Sequence, residues 1–249
     1  MYVIKLGGSA ITVKNEPFKM REEVIDRIPM EIEPALPNLI LVHGAGSFGH
    51  QLAAKYAIHE GYKEASQLTI AALLKYKMNE LTSRIQSALI KANVPVFPFH
   101  PSSFMILDDG SPKERNLEPL KGFIRVGLVP LIPPDGAFDV KRGFGIVSGD
   151  VSAAIVAKEM GAKALIYGVN VDGVLKDGEL VEELTPEEAL KIAEDIEASD
   201  VTGGMAGKLR IAAEVASEGI PVYIINLLVP GRLHALLSGK EIPCTVIKG

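Results

Sequence analysis

Short apolar stretches bounded by Gly, Pro or Asn recur along the chain: Tyr2 to Leu6, Leu39 to Val42, Val94 to Phe99, Leu128 to Ile132, Ala164 to Tyr167, Val222 to Ile225 and Thr245 to Ile247. Most are continuously apolar rather than alternating, the pattern of strands covered on both faces. Between them apolar positions return at helical spacing. Phe18 to Glu31 is one such segment, and Ser66 to Lys91 is the longest, with Leu68, Ala71, Met78, Leu81, Ile85 and Leu89 keeping the period. Val151 to Met160, Pro186 to Glu197 and Gly207 to Ser217 complete the predicted helices. Thr185 followed by Pro186 and Glu188 forms a capping box, which places the start of its helix.

This alternation predicts a three-layer α/β/α sandwich with a mainly parallel central sheet. Two hairpins are expected to interrupt it, one turning at Asp135-Gly136 and one at Asp177-Gly178. There is no internal repeat and no linker-like stretch. Any division, into parts 1–162 and 163–249 of one continuous domain, falls where the chain enters its second run of strand and helix near Gly161 to Ala164.

Composition narrows the class. With 249 residues, 47% of them hydrophobic, the chain can bury a large core without disulfides, and 24 Gly with 16 Pro is too few for a fibrous or low-complexity protein. A net charge of -5 argues against a surface that tracks nucleic acid. The lone Cys244 excludes an internal disulfide and a cysteine metal cluster and points to a reducing, cytoplasmic setting. The opening Met-Tyr-Val-Ile-Lys-Leu-Gly-Gly lacks the zones of a signal peptide, and no apolar run approaches the roughly 18 residues of a membrane span, so no membrane partner is expected.

Three glycine-rich junctions carry the candidate chemistry. Lys5-Leu6-Gly7-Gly8-Ser9 follows the first strand, where adjacent glycines let the backbone approach an anion and Lys5 adds a positive charge. His43-Gly44-Ala45-Gly46-Ser47-Phe48-Gly49-His50 again joins a strand to a helix. Gly44, Gly46 and Gly49 have the spacing of a dinucleotide fingerprint, but the acidic ribose partner expected about 20 residues on at a strand end is missing, since Glu60 and Glu64 lie in a polar helix-to-loop stretch. Thr202-Gly203-Gly204-Met205-Ala206-Gly207-Lys208 imitates a P-loop with one residue too few between its glycines, and Leu209 stands where a Ser or Thr would hold magnesium. What survives is a lysine on a helix's first turns, a second cation for phosphate. Together the junctions suggest a site for more than one phosphate group.

The ordered set resembles the amino-acid kinase family over the whole chain: KLGGS, HGAGSFGH, Ser148-Gly149-Asp150, Gly168-Val169-Asn170-Val171-Asp172-Gly173-Val174 and TGGMAGK. Within the family, GAGSFGH with His50 is similar to the branch that phosphorylates isopentenyl phosphate in isoprenoid biosynthesis. The resemblance implies ATP and Mg2+, a small phosphate acceptor, and a homodimer. It implies that Lys5 contacts the transferring phosphoryl group, that Gly7, Gly8, Ser9 and Gly46 line the nucleotide phosphates, and that Lys208 reaches them from the other side. Lys14 falls on the family's second N-terminal lysine, which neutralises charge during transfer. His50 would bind the acceptor phosphate beside Ala45, Gly46 and Gly149, Asp150 would organise the lysines, and Asp172, Gly173 and Gly204 would sit by the nucleotide. No residue is implied as a direct metal ligand.

Read from the residues alone, Asp150 could instead cap the helix that follows Gly149, Asp172 could be a turn residue, and His43 at a strand end reads as structural. Met78, Leu74 and Ile146 are the candidates for an apolar wall along the acceptor's tail, or are simply core. Three other functions compete: a kinase for another phosphonate such as fosfomycin, a non-catalytic nucleotide sensor, and a dinucleotide-dependent oxidoreductase.

Overall fold

A computed structural model describes residues 1–176, 178–198 and 204–249. In chain order its strands are β1 (Tyr2–Leu6), β2 (Leu39–His43), β3 (Val96–Pro98), β4 (Met105–Asp108), β5 (Ser111–Arg115), β6 (Val129–Ile132), β7 (Asp135–Asp139), β8 (Gly143–Val147), β9 (Ala164–Val169), β10 (Val174–Lys176), β11 (Glu179–Val181), β12 (Glu183–Leu184), β13 (Val222–Asn226) and β14 (Thr245–Ile247). The helices are α1 (Gly8–Ile11), α2 (Glu22–Ile32), α3 (His50–Lys55), α4 (Ser66–Lys91), α5 (Glu118–Arg125), α6 (Gly149–Glu159), α7 (Pro186–Ala198), α8 (Gly204–Ser217) and α9 (Arg232–Leu237).

The main sheet runs β12-β14-β13-β9-β1-β2-β6-β3. Six of its strands are mutually parallel, and β14 with β12 forms the antiparallel edge. Alternate residues of β1 feed two cores: Val3 packs under α6, α7 and α8, while Ile4 and Leu6 pack under α2, α4 and α9. The expected α/β/α sandwich is therefore present, with the predicted strands at its centre. The capping box also forms, Thr185 N donating to Glu188 Oε2 at 2.9 Å and Glu188 N to Thr185 Oγ1 at 3.2 Å.

Several elements differ from expectation. Asp135-Gly136 is not a turn: both residues lie within β7, which pairs antiparallel with β8 from Asp135↔Val147 to Asp139↔Gly143. The chain turns after Asp139, whose carboxylate accepts from the amides of Asp109, Gly110, Lys141 and Arg142. The helix expected from Phe18 begins at Glu22, because Thr12↔Met20 closes a loop in which Phe18 takes φ 58° and packs edge-on against Phe48. The β4–β5 hairpin and α5 have no counterpart in the apolar pattern; β5 is a polar, largely exposed strand, and only Asp109-Gly110 marked its turn. The β10–β11 pair agrees with the second hairpin, while Asp177 of its turn lies outside the described residues.

The loops after β1 and β2 are pressed together backbone to backbone. A methyl built on Gly8 would lie 2.2 Å from Gly46 N, one on Gly44 2.5 Å from Gly8 N, and one on Gly149 2.5 Å from His43 O. Backbone cannot yield as a flexible side chain can, so Gly44→Ala is expected to cost about 2–3 kcal/mol and to lower the melting temperature by several degrees in a thermal unfolding scan. An unchanged melting temperature would show that the two loops separate freely.

Candidate active site

The strand order reverses about β1, with β2 on one side and the later β9 on the other. Open α/β sheets bind ligands at the carboxyl ends of strands at such a point. There β1 ends in Lys5 and Leu6, and Gly7 N donates to Gly168 O at 2.7 Å while Gly44 N donates to Leu6 O at 2.8 Å. These two bonds tie three strand-end loops into one rim.

Asp150 is the centre of the site. Ser148, not Asp150, caps α6, its hydroxyl accepting from Val151 N at 3.2 Å, and the Asp150 carboxylate is left for other partners. Lys208 Nζ donates to Asp150 Oδ1 at 2.8 Å, and Lys5 Nζ approaches the same oxygen at 3.0 Å. Both lysines are buried. Burial tends to raise the Asp150 pKa, but the two ammoniums overcome it and hold the carboxyl at about 2. Burial, then the charge of Lys5, brings Lys208 down to about 8 against the pull of Asp150. Two cations on one anion leave a net positive charge in a dry recess, the field that a polyphosphate requires.

The remaining predicted residues take distinct places. In α1 the amides of Ala10 and Ile11 both return to Gly7 O, which leaves those of Gly8 and Ser9 without an acceptor inside the helix. Ala45 and Gly46 form the facing loop, and Gly46, at φ 50°, leaves no room for a side chain beside Thr12 Oγ1. Gly149 lies against Lys5 Cε at the start of α6. His50 opens α3 at an exposed position; partial burial of the ring and the charge of Lys5 lower its pKa, and Asp150 opposes them. These residues converge on the rim around Asp150.

Others do not join it. Lys14 is exposed in the 13–19 loop, where its carbonyl accepts from Gln51 Nε2 at 3.4 Å, and among the described residues its ammonium forms no ion pair. Asp172 is committed elsewhere, to Asn226 Nδ2 at 2.9 Å and Arg232 Nη1 at 2.5 Å, tying the loop after β9 to the end of β13. Gly173 packs on Thr245, a methyl there meeting Oγ1 at 2.4 Å. Gly204 begins α8, where a methyl would meet nothing within 4 Å among the described residues, and Thr202 and Gly203 of the same motif lie outside them. Of the three residues expected along the acceptor tail, Met78 is core, its methyl 3.4 Å from where a side chain on Gly49 would begin, whereas Leu74 and Ile146 are half-buried and belong to neither core cluster.

Two further residues surround the site, His43, which the sequence reads as structural, and Tyr167, which it passes over. His43 is wholly buried, contacting Thr82 Oγ1 through Nε2 at 2.9 Å, and burial lowers its pKa to about 4, in keeping with a structural role. Tyr167 stands beside Lys5 on the adjacent strand, and its ring underlies both ammoniums. A tyrosine in an otherwise aliphatic strand was the available signal.

For a divalent cation the fit is poor. Among the described residues no three His, Cys, Asp or Glu side chains are placed to hold a metal, and the one central carboxylate already serves two lysines.

Comparison with known proteins shows the family to which the chain belongs. Residues 1–226 match the amino acid kinase family, so the chain belongs to that family of phosphotransferases. It is 32% identical over 265 residues to an isopentenyl phosphate kinase of Methanothermobacter thermautotrophicus, covering 100% of this chain and 99% of that one. It is 33% identical over 252 residues to an isopentenyl phosphate kinase of Methanocaldococcus jannaschii, covering 96% and 95%. A crystal structure of an isopentenyl phosphate kinase superposes with a TM-score of 0.86 at 29% identity, over 100% of both chains.

Lys208 is charged below pH about 8 and loses its charge above it. ATP affinity measured by titration calorimetry is therefore expected to weaken by about 3- to 10-fold between pH 7 and pH 9. Equal affinity at both pH values would remove Lys208 from the phosphate site.

Proposed function

We propose that the protein transfers the γ-phosphoryl group of ATP to isopentenyl phosphate, giving isopentenyl diphosphate and ADP. The observation that carries the reading is the buried Lys5–Asp150–Lys208 cluster facing His50, in a chain about one-third identical, end to end, to two isopentenyl phosphate kinases. The fosfomycin alternative has no comparable observation behind it.

The chemistry asks little of the protein beyond placement and charge. An oxygen of the acceptor phosphate forms the new bond to the γ-phosphorus as the bond to the β,γ-bridging oxygen breaks, and ADP departs. A phosphate is already a nucleophile near neutral pH, so no general base is needed. What is required is in-line placement and positive charge for the transferring oxygens. In this reading Lys5 faces the γ-phosphoryl group, Lys208 the nucleotide phosphates, and the Gly7, Gly8 and Ser9 backbone lines them from β1. His50, with Ala45, Gly46 and Gly149, takes the acceptor phosphate. Asp172, Gly173 and Gly204 border the nucleotide through their loops, and exposed Lys14 swings in only when substrates bind.

Magnesium enters this reading as the counterion of ATP, held by phosphate oxygens and water rather than by a protein cage. No helix among the described residues is long and apolar enough to cross a membrane. A cytoplasmic enzyme and a homodimer complete the proposal; exposed Leu68, Tyr76 and Ile90 along α4, with Phe97 on the sheet edge, are surface that a second copy would cover.

The test is ADP release with magnesium, ATP and, in turn, isopentenyl phosphate, dimethylallyl phosphate and fosfomycin. Turnover on the isoprenoid phosphates is expected, and turnover on fosfomycin alone would overturn the substrate. His50→Ala is expected to raise the acceptor KM by about 10- to 100-fold, the worth of a hydrogen bond to a charged group, with ATP affinity nearly unchanged; equal loss of both would contradict its role. Lys14→Ala is expected to lower kcat without changing the melting temperature, and unchanged kcat would make Lys14 a surface residue.

A further inference from the structure

Lys5 and Lys208 pose an electrostatic problem that Asp150 alone does not solve. Two ammoniums share one carboxylate oxygen, at 3.0 and 2.8 Å, so each repels the other and one positive charge goes uncompensated in a buried place. A second carboxylate would balance the pair but would also repel an incoming triphosphate. The face of an aromatic ring carries negative potential without net charge, and attracts a cation most strongly where water is excluded.

Tyr167 supplies such a face. It is next to Lys5 in register across β1 and β9, and its side chain is fully buried. The ring centroid lies 4.5 Å from Lys208 Nζ and 5.9 Å from Lys5 Nζ. Its hydroxyl is buried and has no hydrogen-bond partner among the described residues, so the position uses the ring rather than the polar tip.

We propose that Tyr167 is a positioning residue whose ring face holds the Lys208 ammonium, and more loosely that of Lys5, at the place where a nucleotide phosphate is received. The ring keeps both side chains converged on Asp150 while leaving the recess positive. The proposal rests on the reading of these lysines as nucleotide contacts. Among the described residues the charged and titratable groups around them are Asp150 on α6, Lys5 on β1 and Lys208 on α8, with Glu214 of α8 acting on Tyr167, His50 of α3 in the field of Lys5 and Asp150, and buried His43 of β2 in the field of Lys5.

ATP affinity by calorimetry and the pH profile of kcat/KM for ATP are measured for the native protein, Tyr167→Phe and Tyr167→Leu. Tyr167→Phe is expected to stay within about twofold of native and to be no less stable, since it removes an unpartnered hydroxyl. Tyr167→Leu is expected to weaken ATP by about 3- to 30-fold and to move the alkaline limb to lower pH, because the lost ring no longer favours charged Lys208. Native affinity and an unmoved limb in Tyr167→Leu would reduce Tyr167 to a core spacer. Equal damage in Tyr167→Phe would assign the effect to the hydroxyl and overturn the proposal. Should the leucine variant fail to fold, phenylalanine and trifluorophenylalanine at position 167 have nearly the same shape but different ring-face potentials, and equal ATP affinities for these two would overturn it. Absence of turnover on isopentenyl phosphate by the native protein would refute the acceptor assignment, while the ATP titrations would still decide the role of Tyr167.

Discussion

One carboxylate oxygen organises the site. Asp150 Oδ1 receives Lys5 from the central strand and Lys208 from a helix about 200 residues later in the chain, so side chains far apart in the sequence meet at a single atom. A lysine carries a flexible four-carbon stem, and fixing two of them in one place costs conformational entropy that only a buried counter-charge offsets. The carboxyl stays ionised because both cations are close; the cations stay close because the carboxyl is ionised. In the proposed reaction an incoming polyphosphate replaces Asp150 as the partner of one or both lysines.

Backbone contact forms the other wall of this arrangement. Gly8, Gly44, Gly46 and Gly149 bring the loops after β1, β2 and β8 nearer than any side chain would allow, and the hydrogen bond from Gly44 N to Leu6 O ties the first two. The glycines thus have a role before any ligand is considered: they set the distance between the β1 loop and the β2 loop.

Much of this was legible in the sequence. Continuous apolar runs marked strands buried on both faces, and every strand of the main sheet except the two-residue β12 lay under such a run. Lys5 and Lys208 could be singled out because each adjoins a glycine-rich junction, whereas Asp150 came from the resemblance to the family and by local pattern read as a helix cap. The polar strand β5 and the turn at Asp139 were hidden, since their structure is decided by tertiary contacts and not by an apolar period. Asp135-Gly136 looked like a turn by local chemistry, yet its pairing with β8 prevailed. Asp172 matched a motif, but its carboxylate is occupied by Asn226 and Arg232, a contact no local pattern announces. Tyr167 was passed over because a buried aromatic in a core strand resembles ordinary packing.

In the proposed mechanism Lys208 is held by Asp150 in the free protein and transferred to phosphate when nucleotide binds. This transfer is tested most directly by following the side-chain nitrogen of Lys208 across pH by NMR, with and without ATP. In the free protein the ammonium should titrate at about 8, and with ATP bound it should move upward, since several phosphate charges replace one shared carboxylate. A lysine that titrates in its ordinary range and does not respond to ATP would contradict the claim.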